Sequence, residues 1–412
     1  MKIIQTLILL FTKLLKAYFF LKLRTKFLWS GWKYRVLHPN GKLKFLSGTE
    51  QKLQENAQNE QIALFVVYAP KYPEMYRQYF KLLDKIGFKV ITVINGSASE
   101  EFMDFFSKHS LCVLTRENFG RDFGAYKEFI QYLANKNIQP KRLLVCNDSV
   151  FANMLPEDNR FSDFIHSTAD RDLVGVAEYM GRPNYHIQSY FLIFSNKVLN
   201  GKNFINFWSD FLITDDRRLN IHNGEVALTQ AILKDHISPT IFLSTDKLLE
   251  SISLNDTSSL DILEDLKHNQ HVLPGKVAKL YALKDKYNAL KIEQLELNDQ
   301  KTVTAAAQEI ISITEQAKQD IEYDFKSELA TLINYLGIIT TATFGIVRLF
   351  GFPFLKRDVV YRQVSEWMLI RRRSAGFNEK LLEEYIDDQR LKKRHWNLKR
   401  GEEKIAYDIG MN

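Results

Sequence analysis

The residues of this 412-residue chain best suited to chemistry gather in two short stretches. The first is TRENFGRDFGAYKEF, residues 115–129, where Gly120 and Gly124 flank an Arg121–Asp122 pair directly after an apolar run. A glycine lets the backbone take a positive φ or come close to a ligand. Arg121 can pair with a phosphate, or with Asp122 or Glu117 instead. Asp122 stands where it can cap the following helix and orient Arg121. The second stretch is Asn147-Asp148-Ser149. A carboxylate beside an amide and a hydroxyl offers hard oxygen ligands for Mg²⁺ or Mn²⁺, an ion that also holds phosphates. The plain alternative is a helix cap or an Asx turn.

Other chemistries lack their residues. The chain has no Gly-rich loop ending in Gly-Lys-Ser/Thr, no HExxH and no nucleophile elbow. YAPKYP stands where a dinucleotide fold would carry GxGxxG. No CxxC or Cys/His spacing suggests zinc, and His166, His186, His222 and His236 are scattered. Cys112 and Cys146 sit inside apolar runs and read as small buried hydrophobes. The net charge of +7 is modest for this length, and acidic residues run through the middle of the chain. With no basic-aromatic reading motif, nucleic acid is not an expected partner.

The elements that must position these groups follow from periodicity. IALFVVYAP, FKVITVING, LCVLT and RLLVCND are apolar runs of strand length, separated by EMYRQYFKLLDKIG, SEEFMDFFSKH and DFGAYKEFIQYLA, which have helical spacing. Strands apolar throughout that alternate with helices predict a parallel sheet covered on both faces. Ligands of such sheets bind beyond the carboxyl ends of the strands. That singles out Tyr68 after the first strand, Asn95 after the second, and the two opening stretches after the third and fourth. Further on, LVGVAEY, SYFLIFS and PTIFLS predict added strands in a mixed sheet, and NGEVALTQAILKDH a helix. Trp208, on the aromatic face of FINFWSDFL, is expected in the core rather than as a sugar platform.

An apolar content of 45% with 13% aromatics excludes disorder. Three regions are expected: residues 1–49, 60–260 and 277–412. The first has no Asp or Glu and carries recurrent Lys and Arg beside Phe and Trp. It reads as a basic amphipathic segment lying on an anionic membrane surface. The third reads as long helices outside the catalytic core, an expected site of homo-oligomer or assembly contacts, followed by a basic tail. Within it, residues 329–347 are uncharged over nearly a spanning length, but threonines, Asn334 and two glycines interrupt them. A re-entrant, interfacial or partner-packed helix is expected there.

ENFGRDFGAYKEF, LLVCNDSVF, HIQSYFLIFS, FINFWSDF and NGEVALTQAIL occur in one order over residues 62–243. In these pieces the chain resembles the rhamnan synthesis protein F family of bacterial cell-surface polysaccharide glycosyltransferases. The resemblance implies an α/β, GT-A-like nucleotide-diphospho-sugar transferase fold, with Asn118, Gly120 and Asp148 on the family's turn and metal positions. It implies transfer of a sugar, with L-rhamnose from its dTDP form as the expected donor, to a lipid-linked glycan of lipopolysaccharide or capsule at the cytoplasmic face of the inner membrane. The usual Asp-x-Asp is missing, since Asn147 precedes Asp148 and Ser149 follows it. A divalent cation at Asp148 is therefore expected from a single carboxylate. Tyr68, Asn95, Asn118, Gly120, Arg121, Asp122, Asn147 and Ser149 are the expected donor site, and His186 and Gln188 the acceptor site. Glu225 is the expected base for the acceptor hydroxyl, its alternative role being a favourable charge at a helix start. The competing reading is a catalytically idle scaffold of a polysaccharide assembly complex, with Asn147 marking decay of the metal site.

Overall fold

The computed structural model describes residues 43–46, 49–181, 184–267, 273–298, 305–363, 370 and 373–396, with scattered positions between 14 and 32. Its centre is a nine-stranded mixed sheet. The strands are β1 (Lys44–Phe45), β2 (Gln61–Tyr68), β3 (Lys89–Asn95), β4 (Cys112–Arg116), β5 (Arg142–Asn147), β7 (Leu173–Tyr179), β8 (His186–Ile187), β9 (Phe191–Ser195) and β10 (Pro239–Leu243). Their order is β1-β4-β3-β2-β5-β9-β7-β10, with β8 paired to β7. The strands β4, β3, β2 and β5 run parallel, as does the β7–β10 pair, while β9 is antiparallel to both its neighbours. The α/β class and the mixed, mainly parallel sheet are thus as expected.

The crossover helices are α1 (Pro73–Lys85), α2 (Glu100–His109) and α3 (Arg121–Asn135). Alternation along β2 shows why its strand is apolar throughout. Ala63, Phe65 and Val67 join one core, and Ile62, Leu64 and Val66 join the other. The register then aligns the strand ends. Tyr68 lies opposite Asn95, Asn95 opposite Arg116, and Val66 opposite Asn147, so four turns leave the sheet along one edge. Cys112 and Cys146 are buried free thiols, and Trp208 is buried, both as expected.

The long helices expected after residue 277 are present, and part of the region joins the core of the sheet. Helices α4 (Pro274–Asn298) and α5 (Ala305–Leu336) pack against each other, but the chain after them returns to the sheet. Phe354 meets the rings of Phe161, Tyr190 and Phe191 at centroid distances of 5.6, 5.7 and 5.2 Å. Phe325, Leu329, Phe344 and Leu381 belong to the same core as Phe65. Strand β11 (Leu355–Lys356) then pairs antiparallel with β6 (Val150–Phe151), the strand just after Asn147-Asp148-Ser149.

Residues 329–347 do not form one helix. α5 ends at Leu336, Gly337 takes φ +82°, and short helices Ile338–Thr341 and Gly345–Phe350 follow. Leu332, Ile333, Ile338, Phe344 and Ile346 are buried, so the apolar length serves the core that also holds Phe65. Among the described residues no helix is long and apolar enough to cross a membrane. Most of the basic segment 1–49 lies outside the described residues. The described positions between 14 and 32 are helical and expose Leu14, Leu21, Trp29 and Trp32.

Candidate functional site

A cleft of about 930 Å³ opens over the aligned strand ends. Tyr68, Asn95, Asn118, Arg121, Asp122, Asn147, Asp148, Ser149, His186, Gln188 and Glu225 all line it. The four turns singled out in the sequence and the two later segments therefore converge. Gly120 stands behind the wall, packed on Ile213.

The turn after β4 is built around a buried arginine. Arg116 donates from Nε and Nη2 to the Glu128 carboxylate, both at 3.0 Å, from Nη2 to the Phe119 carbonyl at 2.9 Å, and from Nη1 to Asn95 Oδ1 at 2.9 Å. Asn95 passes the constraint on by donating to the Arg121 carbonyl at 3.0 Å. The glycines answer to this packing. Gly120 has φ +80°, and a Cβ there would lie 1.9 Å from Ile213 Cγ2. A Cβ on Gly124 would lie 2.6 Å from the Phe119 carbonyl oxygen and 2.9 Å from Arg116 Nη2.

Arg121 continues the left-handed turn with φ +53°, unusual for a non-glycine residue. Its Nε donates to the Asp215 carbonyl at 3.1 Å, while Asp215 Oδ1 accepts from the Gly120 N–H at 2.7 Å. Asp215 thus clasps a distant loop to the turn. Asp122 is not the N-cap residue itself, though from the first turn its carboxyl takes backbone hydrogen bonds at Asp122 and Phe123. The N-cap of α3 is Gly120, and Asp122 Oδ2 also accepts from Asn147 Nδ2 at 2.7 Å. Burial pushes the Asp122 carboxyl above its ordinary value, and nearby Glu225 adds to the shift. Asn147 makes the Asx turn itself, its Oδ1 accepting from the Ser149 N–H at 3.0 Å and hydroxyl at 2.6 Å.

Asp148 is buried directly after β5. Its Oδ2 accepts from the Tyr76 hydroxyl at 3.1 Å, the Tyr68 N–H at 3.3 Å and Arg357 Nη1 at 3.3 Å. Burial raises its carboxyl, opposed chiefly by the Arg357 guanidinium. A divalent cation needs several hard oxygens free to face it. Here one oxygen of a single carboxylate already takes three donors, one of them a cation, and no cluster of three His, Cys, Asp or Glu among the described residues could hold a metal. The donor set does not fit the expected ion.

The opposite wall carries the acid–base pair. Residues 220–226 form a π-helical turn that brings Glu225 toward β8. Glu225 Oε2 accepts from the Ser189 N–H at 2.8 Å and its hydroxyl at 2.5 Å, and Oε1 lies 3.2 Å from His186 Nε2. His186 Nδ1 lies 3.0 Å from the Asn184 carbonyl, which only accepts. With a carboxylate on its other nitrogen, the ring is satisfied as an imidazolium. Burial would lower His186, but Glu225 lifts it above its ordinary value. Burial would raise Glu225, but His186 and Ser189 hold it below its ordinary value.

Sequence reading missed Arg116, Asp215 and the whole contribution of the extension, whose Leu336, Gly337, Ile339, Thr340, Lys356 and Asp358 line the cleft. Arg116 alone carried a local signal, as a charged residue ending an apolar strand.

The family model described as rhamnan synthesis protein F matches residues 90–289, in agreement with the resemblance carried by the sequence motifs. A curated relative, the uncharacterized protein y4gN of Sinorhizobium fredii (strain NBRC 101917 / NGR234), is 31% identical over 175 residues, 41% of this chain. The match spans 45% of that relative's length. Similar solved structures include a "putative nucleotide-diphospho-sugar transferase" of Desulfovibrio desulfuricans G20, at 10% identity and TM-score 0.25, covering 45% of this chain and 80% of the other. They also include the glycosyltransferase GlyE of Streptococcus pneumoniae TIGR4, at 12% identity and TM-score 0.26, covering 44% and 45%.

Proposed function

We propose that this chain is a glycosyltransferase that moves a sugar from a nucleoside-diphosphate donor to a hydroxyl of a growing cell-surface glycan. The observation that carries the reading is Glu225. It is a carboxylate held below its ordinary pKa by two named donors, in the same cleft as the turns that end β2 to β5. A general base must be ionised and within reach of the proton it takes. The family match supports transfer chemistry, and the family's description supports L-rhamnose from dTDP-rhamnose as the first donor to test.

In this scheme Arg121 pairs with the donor's phosphates, and Asn118 and Ser149 hydrogen-bond the nucleotide side. Asp122 and Asn147 hold that wall in shape. His186 and Gln188 orient the acceptor. Its hydroxyl oxygen attacks the anomeric carbon, Glu225 takes the hydroxyl proton, and the bond from that carbon to the diphosphate breaks with its electron pair leaving on the phosphate oxygen. The imidazolium of His186 keeps Glu225 ionised until that proton arrives. The exposed Leu14, Leu21, Trp29 and Trp32, in a segment without acidic residues, support contact with an anionic membrane where a lipid-linked acceptor would lie. The cytoplasmic face of the inner membrane is the proposed location.

The test is turnover by the purified chain with a panel of nucleotide sugars and a lipid-linked glycan acceptor. Release of nucleoside diphosphate that requires acceptor, and that is lost in Glu225→Gln, is the expected result. Donor binding without turnover on any acceptor would favour the idle scaffold instead.

A further inference from the structure

Asp148 stands at the end of β5, where sequence reasoning placed a cation, and a cationic side chain already lies against it. Arg357 Nη1 is 3.3 Å from Asp148 Oδ2 and donates to the Asp148 main-chain carbonyl at 2.7 Å. Backbone pairing fixes this placement. In the β6–β11 ladder Leu355 lies opposite Phe151 and Lys356 opposite Val150, and the Arg357 N–H donates to the Ser149 carbonyl at 3.1 Å. The guanidinium also lies over the Tyr385 ring at 5.8 Å. A backbone ladder, two side-chain bonds and an aromatic face thus hold one arginine at one carboxylate.

We propose that Arg357 supplies at Asp148 the positive charge a divalent cation would otherwise supply, so that this chain binds its nucleoside diphosphate without a metal ion. The inference rests on the glycosyltransferase reading. A nucleoside diphosphate brought near an uncompensated buried carboxylate would meet repulsion, which a pairing cation removes. With Arg357 in place Asp148 presents little net charge to the cleft, whose wall also carries Arg121, bonded through Nε to the Asp215 carbonyl at 3.1 Å, and Arg217, paired with Asp358 at 3.2 Å. Arginine suits this role because its guanidinium stays charged and bonds oxygen in a fixed geometry. Asp148 is then a positioning residue that orders Tyr68, Tyr76 and Arg357.

Calorimetric titration of the full chain with dTDP, UDP and GDP, in EDTA and then in Mg²⁺ or Mn²⁺, tests this. The expected result is at least one nucleotide whose Kd agrees within about twofold across the three conditions. Arg357→Gln should weaken that nucleotide by about tenfold or more in EDTA, with Mn²⁺ restoring part of the loss. Arg357→Lys keeps the charge and should lose less, and it preserves the comparison if the glutamine variant does not fold. Binding by the unaltered chain in metal alone overturns the inference and leaves the transferase reading standing. Wild-type affinity in Arg357→Gln, measured in EDTA, also overturns it. Failure of all three nucleotides to bind in any condition overturns the transferase reading and this inference together.

Discussion

Arg116 and Glu128 meet in a two-pronged ion pair beneath the GRDFG turn, with both N–H donors at 3.0 Å and the arginine side chain wholly removed from solvent. Because the same guanidinium also holds Asn95 and the Phe119 carbonyl, the pair fixes the shape of this wall of the cleft.

Removing one partner of a buried pair leaves the other charge uncompensated, at a cost of about 3–5 kcal/mol. Arg116→Met is expected to lose roughly that much in urea unfolding, and to lose the ordered turn as well. An unchanged unfolding midpoint would show that the pair does not hold the turn.

Gly120→Ala places a methyl group against Ile213 in a left-handed backbone. Overpacking costs about 1–3 kcal/mol and the backbone about 1–2 more. The double variant Gly120→Ala/Ile213→Ala should be less destabilised than the sum of the two single variants, since the clash is removed. Strict additivity would exclude the contact as the reason for the glycine.

Glu225→Gln keeps the size of the side chain and removes the proposed base. Turnover is expected to fall by about 10²–10⁴-fold with donor affinity retained, as measured by kcat beside nucleotide titration. A parallel loss of affinity would assign Glu225 to binding instead.

In the proposed scheme His186 sets the pH at which Glu225 works. Imidazolium beside Glu225 lowers the carboxyl's pKa, so His186→Gln should move the acid limb of kcat/KM to higher pH. A purely structural histidine would change the rate without moving the limb.

The same pair makes a signed prediction for stability. Glu225 is lowered from 4.5, so its contribution is full above that value and is lost as pH falls through the folded-state pKa. His186 is raised from 6.5, so its contribution is full below that value and is lost as pH rises through the folded-state pKa. The stability difference between the native chain and His186→Gln should therefore be greatest between those two values and shrink on both sides. A flat difference across pH would mean that the histidine is not charged in the fold.

Much of the sheet was legible because each central strand is apolar along its whole length and each crossover helix has its own period. That the residues at those strand ends share one cleft was legible for the same reason. For Asp122 the sequence showed a carboxylate in a first helical turn, and only the fold reveals Asn147 as its side-chain partner. Arg357 and Asp215 left no local trace. Their partners lie 209 and 95 residues away, and no periodicity within a window encodes such a meeting. Residues 329–347 misled for another reason, since an uncharged run looks alike whether lipid or protein covers it, and the break at Gly337 depends on its neighbours.

The return of β11 to β6 sets the order in which this molecule can be completed. During synthesis the strands whose ends line the cleft emerge some two hundred residues before the arginine that pairs with Asp148. Until then the buried carboxylate has no cation, and the aromatic face that Phe354 covers stays open to water. A nascent chain therefore carries an unfinished pocket and a sticky surface for much of its elongation, the interval in which a folding chaperone would have most to shield.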